Sequence, residues 1–189
     1  MKVLFLDHDG VICLSNNWGS RIKKWSKYRS ANPHSSKYFD DAPVEIRFDN
    51  FDKKAVKVLN EILESTGVEI VVSSDWRIHS TLQEMGDYYV HQGIIKRPIG
   101  YTKNSLPGDL PFFDMATDLE ETRSYEILQW LKDHPQVTSW VAVDDLDMSV
   151  RYDDVGGYKW GLRNFVLTKR QNEGIKQSGI KEKIIECLS

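Results

Sequence analysis

The apolar run Val3-Leu4-Phe5-Leu6 opens into Asp7-His8-Asp9-Gly10-Val11, setting two carboxylates two positions apart at the exit of a predicted buried strand. An unpartnered carboxylate is expensive to bury, so acids at the carboxyl end of a strand face a cleft, a cation or a reacting group. Gly10 lets the backbone turn sharply away. An Asp-Gly turn after any strand gives a similar string, so this segment alone leaves a turn and a site both open. Two further apolar runs end the same way. Val68 to Val72 leads into Ser73-Ser74-Asp75, and Trp140 to Val143 leads into Asp144-Asp145. In a parallel sheet all three ends lie on one edge, where α/β enzymes keep their chemistry.

The segments between these runs are consistent with such a sheet. Phe51, Ala55, Val58, Leu59, Ile62 and Leu63 fall at helical spacing and Gly67 is a stop, predicting a helix over about 52–65. A second helix is predicted over about 122–133, with Arg123 at its opening and Ile127, Leu128 and Leu131 on one face. Residues 164–167 read as another strand, and Ile180, Ile184, Cys187 and Leu188 stripe a closing helix. Strand, helix and strand in succession predict right-handed parallel crossovers, hence a Rossmann-like three-layer α/β fold in one domain spanning 1–189. Two regions break the pattern. Residues 13–50, rich in Asn, Ser, Gly and Pro, read as an irregular insertion after the first strand with one short helix. Residues 79–121, with Pro98, Pro107, Gly108 and Pro111 around a short helix at 80–85, are a candidate second insertion.

Composition excludes several classes. With 189 residues, 40% hydrophobic, 28% charged and a net charge of −3, the chain has the profile of a globular protein rather than a disordered or fibrous one, or an overtly basic nucleic-acid binder. Cys13 and Cys187 lack CxxC or CxxH spacing, which argues against a disulfide scaffold or thiolate metal site and suits a reducing cytoplasm. No segment approaches the roughly 18 apolar residues of a membrane span, and the four after Lys2 are too few for a signal-peptide core.

With Asp7-His8-Asp9-Gly10 after one strand, Ser73 after the next, Arg123 near a helix start and Asp144-Asp145 after a third strand, the chain resembles the haloacid dehalogenase (HAD) superfamily, whose four motifs appear in order. Within it, the run Ser73-Ser74-Asp75-Trp76-Arg77 and the pattern Arg123 to Glu126-Ile127 to Trp130-Leu131 resemble HAD domains attached to RNA-repair proteins. The resemblance implies a HAD-like sheet with 13–50 as a small cap, and a magnesium-dependent phosphatase acting on a phosphate monoester, such as a nucleotide or polynucleotide end. It implies Asp7 as nucleophile and Asp9 as general acid and base. It places Mg2+ on Asp7, Asp145 and the main-chain carbonyl of Asp9, with Asp144 as a further ligand, direct or through water. Ser73 and Arg123 would bind the phosphoryl group, with Arg77 and Lys103 as alternative cations. The family more often has Lys at the third motif, and Val11 stands where many members have Thr. Asp at position nine favours phosphoryl transfer over dehalogenation, which needs no acid for an ester oxygen.

His8 lies between the two acids, where strand alternation turns its side chain away from theirs, so a packed structural histidine is expected over a proton relay. Between Trp18 and Tyr38 the chain carries Arg21, Lys23, Lys24, Lys27, Arg29 and Lys37 with Trp25 and Tyr28 and no acid. This segment reads either as a solvated basic helix with Trp25 on the core, or as a basic, aromatic cap able to follow a phosphate backbone and stack a base. Tyr88, Tyr89, Phe112 and Phe113 are expected to pack. Two other functions fit parts of the pattern: a HAD-like nucleic-acid-binding domain with little or no catalysis, and a phospho-receiver module, though no Lys ends a strand where a receiver needs one.

Overall fold

The computed structural model describes residues 1–105, 119–152 and 154–189. Its elements in chain order are β1 (Lys2–Leu6), α1 (Ser20–Ala31), α2 (Val44–Arg47), α3 (Lys53–Thr66), β2 (Glu69–Val72), α4 (Leu82–His91), β3 (Gly100–Tyr101), α5 (Leu119–Asp133), β4 (Ser139–Asp144), β5 (Arg151–Tyr152), β6 (Tyr158–Trp160), β7 (Phe165–Leu167) and α6 (Ile180–Cys187). Five strands form one parallel sheet in the order β3-β2-β1-β4-β7, while β5 and β6 pair as a separate antiparallel ribbon.

Period-two alternation divides the sheet into two apolar faces. Leu4, Leu6, Ile70, Val72, Val141 and Val143 join the larger core, with Ala55, Leu59, Ile62 and Leu63 of α3, Met85, Tyr88 and Tyr89 of α4, and Ile180 and Ile184 of α6. Val3, Phe5, Val71 and Ala142 point the other way, against Ile127, Trp130 and Leu131 of α5. The result is the expected Rossmann-like three-layer arrangement, with β1 central. Leu128, assigned to the apolar face of α5 from spacing, is 36% exposed, and Trp130 takes the sheet-side place.

Local signals fix the main connections. Asp52 caps α3 by accepting from the main-chain N–H groups of Lys54 and Ala55, and Gly67 ends the helix at φ 68°. Thr81 and Glu84 form a capping box at the start of α4, which runs to His91, well past the expected end near 85. The 79–121 region also supplies β3, an edge strand of the main sheet. Helix α5 begins at Leu119, with Glu120 and Glu121 in its first turn, so Arg123 sits in the second turn and not at the opening.

The 13–50 segment holds more helix than its composition predicts. Helix α1 spans twelve residues yet buries none of them. Asp49 reaches back to its amino end, accepting from the N–H groups of Gly19 and Arg21 and from the Ser20 hydroxyl. Trp25 packs within the segment, stacked on Tyr28 and tilted against Phe39, instead of reaching the core. Tyr88 and Tyr89 are fully buried core residues as expected, and Phe112 and Phe113 lie outside the described residues. No helix among the described residues is long and apolar enough to cross a membrane.

Candidate active site

Strand alternation decides which acids meet. Phe5 faces α5, Leu6 faces the α3 side, and Asp7 therefore returns to the α5 side, its N–H still bonded to the Val143 carbonyl at 3.1 Å. On β4 the same count brings Asp144 to that side. Arg123 lies one helical turn before Ile127 on the sheet-facing stripe of α5, so its guanidinium arrives between the two acids. Its Nη1 donates to Asp7 Oδ1 at 3.2 Å and to Asp144 Oδ2 at 2.9 Å, and its Nη2 pairs with Asp75 Oδ1 at 3.0 Å. Asp7 and Asp144 are buried, and Arg123 is 5% exposed.

Asp145 completes the acidic group. Carboxylate oxygens of Asp7, Asp144 and Asp145 lie within 4.8 Å of one another, an all-oxygen donor set suited to a hard divalent cation. Gly10 makes this approach possible. Its φ is +69°, and a Cβ there would overlap the Asp145 carboxylate. Gly10→Ala is therefore expected to cost about 1–3 kcal/mol from the left-handed backbone alone and to push Asp145 out of the cluster. Denaturant unfolding of the metal-free protein, paired with calorimetric magnesium titration, checks both effects. Gln171 donates to Asp145 Oδ2 at 2.7 Å, and the Thr168 hydroxyl donates to the Gly10 carbonyl at 3.1 Å.

Asp9 stands apart from this group. Its carboxylate accepts from the Trp76 indole N–H at 2.8 Å and from the Cys13 thiol. Trp76 is itself fixed between Phe48 and Phe51, with ring centroids at 4.7 and 5.5 Å and nearly parallel planes. Burial raises the Asp9 pKa above the ordinary carboxylate value, opposed by the two donors. For Asp7, burial first and Asp144 second raise the pKa well above that value, with Arg123 opposing. Asp144 is raised by burial, again against Arg123. Burial works against the charge on Arg123, but Asp7, Asp144 and Asp75 outweigh it and keep the side chain cationic.

His8 follows the alternation rule to the opposite face. Its Nε2 lies 2.7 Å from the Tyr89 hydroxyl, and its ring packs against Phe51, Trp76 and Tyr89. Burial, followed by the charges of Arg123 and Arg77, lowers its pKa to about 3, so the ring is neutral. Ser73 is buried at the end of β2, its N–H bonded to the Leu6 carbonyl at 3.1 Å. Arg77 is engaged within the protein: Nη1 donates to the Ser73 carbonyl at 2.7 Å, and Nη2 to Glu126 Oε2 at 2.8 Å. The other oxygen of Glu126 accepts the Ser105 N–H at 2.7 Å, tying the loop after β3, which carries Lys103, to this pair.

A cavity of about 510 Å3 opens over Asp9 and Asp145. Trp76, Asp49 and Gln171 line it with Trp18, Gly19, Arg21 and Ile22, so the 13–50 segment forms one wall. Sequence reading singled out Asp7, Asp9, Ser73, Arg77, Arg123, Asp144 and Asp145, and all belong to this edge or support it. It missed Asp75, Trp76, Gln171 and Glu126 as individual contributors. Asp75 and Trp76 lie inside a run that had been noted as a motif, whereas nothing local marks Gln171.

A search of curated proteins and a search of solved structures each found no match. A family profile described as the HAD domain in Swiss Army Knife RNA repair proteins matches residues 3–178, which takes in the five strands of the main sheet except Lys2 and every residue of the acidic edge. On that match, with the parallel sheet and its convergent acids, the chain belongs to the HAD superfamily, in the family of HAD domains found in Swiss Army Knife RNA repair proteins.

Proposed function

We propose that the chain is a magnesium-dependent phosphatase that hydrolyses a phosphate monoester on a nucleotide or polynucleotide end, through an aspartyl-phosphate on Asp7. The observation that carries this reading is the convergence of Asp7, Asp144 and Asp145, the first two paired with the Arg123 guanidinium, with Asp9 held separately at the cavity. On this reading one acid attacks and another moves protons.

Asp7, Asp144 and Asp145, with the main-chain carbonyl of Asp9, are the donors for the cation. When bound, Mg2+ offsets the negative charge that keeps a phosphate monoester and a carboxylate apart. An Asp7 carboxylate oxygen bonds to phosphorus as the bond to the leaving oxygen breaks, and Asp9 donates its proton to that oxygen. Asp9 then takes a proton from water, whose oxygen bonds to phosphorus while the bond to Asp7 breaks and releases phosphate. Burial suits Asp9 to this exchange by raising its pKa above the ordinary carboxylate value. The Ser73 hydroxyl and Arg123 stabilise charge on the phosphoryl oxygens. We assign Arg77 a positioning role, since its donors hold the Ser73 carbonyl and Glu126.

Phosphate release from an aryl phosphate and from phosphorylated oligonucleotides is expected with Mg2+, and is expected to stop in a chelator. Calorimetry gives a readout independent of turnover: Asp145→Asn is expected to weaken Mg2+ binding by about tenfold or more, the loss of one charged ligand. Equal affinity in the two proteins would remove Asp145 from the cation site, and release of phosphate undiminished in chelator would overturn the metal requirement.

A further inference from the structure

The chemistry proposed above fixes what the cavity over Asp9 must hold. If Asp9 protonates the leaving oxygen, the group attached to that oxygen occupies the space lined by Trp18, Arg21 and Ile22. A volume of about 510 Å3 is far more than a phosphate needs and falls within the roughly 300–1,000 Å3 of small-molecule sites. The wall chemistry then selects the occupant.

Trp18 is 44% exposed, and its indole N–H is bonded to the Cys13 carbonyl at 3.3 Å, which anchors the ring beside the cavity. Ile22, on the next turn, is 66% exposed on a helix that buries no residue. These two present an apolar, partly aromatic surface at the mouth of an acidic site. Arg21 stands between them with a half-exposed side chain. Among the described residues its ion-pair partner is Asp49 at 4.0 Å, and Asp49 already accepts three hydrogen bonds from the amino end of α1. The Arg21 guanidinium thus keeps donors for an incoming anion. The remaining polar groups of the wall are the carboxylates of Asp9, Asp49 and Asp145, a Gln171 N–H committed to Asp145 and the Trp76 N–H committed to Asp9, so Arg21 is the cation among the lining residues. A flat base with an anion beside it finds both a stacking surface and a cation.

Arg21 also borders a second cavity, of about 370 Å3, lined by Phe39, Arg47, Phe48, His79 and Asp40. Arg47 there already bonds the Ala42 and His79 carbonyls and Glu84, and Arg21, which lines both spaces, is the cation they share.

We propose that Trp18, Ile22 and Arg21 form the leaving-group subsite, with the base packed on Trp18 and Ile22 and a second phosphate on Arg21. The inference rests on the phosphatase reading and goes beyond it, assigning specificity to the 13–50 wall and requiring a nucleotide unit that carries a further phosphate. A nucleoside bisphosphate and a phosphorylated polynucleotide end share that chemistry.

The test compares kcat/KM, in Mg2+, for glycerol phosphate, a nucleoside monophosphate, a nucleoside 3′,5′-bisphosphate and a 3′-phosphorylated dinucleotide. In the wild type the last two are expected to exceed the monophosphate, and all three nucleotides to exceed glycerol phosphate. Trp18→Ala is expected to lower the nucleotide-to-glycerol-phosphate ratio about tenfold, the scale of losing one base stack, with Trp18→Phe restoring most of it. Arg21→Ala keeps the main-chain cap of α1 and is expected to erase the preference for a second phosphate. A bisphosphate that matches the dinucleotide identifies a free nucleotide as sufficient, and one that falls well below it identifies a polynucleotide end. Ratios unchanged in both variants would overturn the subsite. Calorimetric binding of the bisphosphate to Asp7→Asn protein, with and without Arg21→Ala, tests the subsite even if no substrate turns over, so loss of the phosphatase reading and loss of the subsite give different results.

Discussion

Asp7→Asn is expected to abolish phosphate release and to leave the protein folded and at least as stable as the wild type without metal. The two halves of this outcome come from the same surroundings. Asp7 is 3% exposed, and burial followed by the neighbouring charge of Asp144 disfavours its anionic form. An amide of the same shape removes that cost and keeps one oxygen to accept from Arg123. Arg123 keeps Asp144 and Asp75 as charged partners, so removing one of the buried acids around it lowers the like charge without leaving the guanidinium uncompensated. An amide oxygen is, however, a poor nucleophile for phosphorus, so turnover is expected to fall by roughly four orders of magnitude or more, as when a covalent nucleophile is removed from other enzymes. Phosphate release and unfolding in chelator, measured side by side, separate the effects. Acid quenching during turnover with labelled substrate is expected to leave label on the wild-type protein and none on the variant. A variant that turns over at the wild-type rate would assign the nucleophile elsewhere.

The acidic edge was legible because three strands share one pattern. A short apolar run followed at once by acids or a hydroxyl reports both burial and the strand's end, and parallel topology brings such ends together whatever lies between. His8 was legible for the same reason: a period of two admits only one face once Asp7 is placed. What stayed hidden depends on partners distant in sequence. Helix α1 has no apolar stripe to announce it: its amino end is held by Asp49 from the far end of the 13–50 segment, and its aromatic contacts are internal to that segment. The pairing of Arg77 with Glu126, on another helix, has no spacing signal to announce it. Gln171 reaches Asp145 from the loop after β7, and no spacing rule links those two positions. At the start of α4 the Thr81 and Glu84 capping box secures a helix that was expected only over 80–85 and that continues to His91.

Arg123 carries the largest expected effect on stability. It is the cation between Asp7 and Asp144, and the side chain is as buried as they are. Replacing it with methionine keeps an apolar stem of similar length and leaves two buried acids without compensation. At neutral pH and without metal this is expected to cost about 3–5 kcal/mol, the usual scale for breaking a buried pair by removing one partner. The pH dependence has a definite sign. Burial already raises the pKa values of Asp7 and Asp144 in the folded protein, and Arg123 opposes that rise, so its removal raises them further. A folded-state carboxylate with a raised pKa binds protons that the unfolded chain releases. Its contribution is fully present below the ordinary carboxylate value and is lost as pH rises through the raised one. The deficit of Arg123→Met is therefore expected to shrink as pH falls through that window and to be greatest at neutral pH and above. Magnesium at neutral pH is expected to narrow it too, since a cation held by Asp7, Asp144 and Asp145 offsets the same charges. Denaturant unfolding of both proteins at acid and neutral pH, in chelator and in Mg2+, measures all four conditions. A deficit that stays constant across them would mean that Arg123 stabilises the fold through packing, and that the acids it bridges are not charged there.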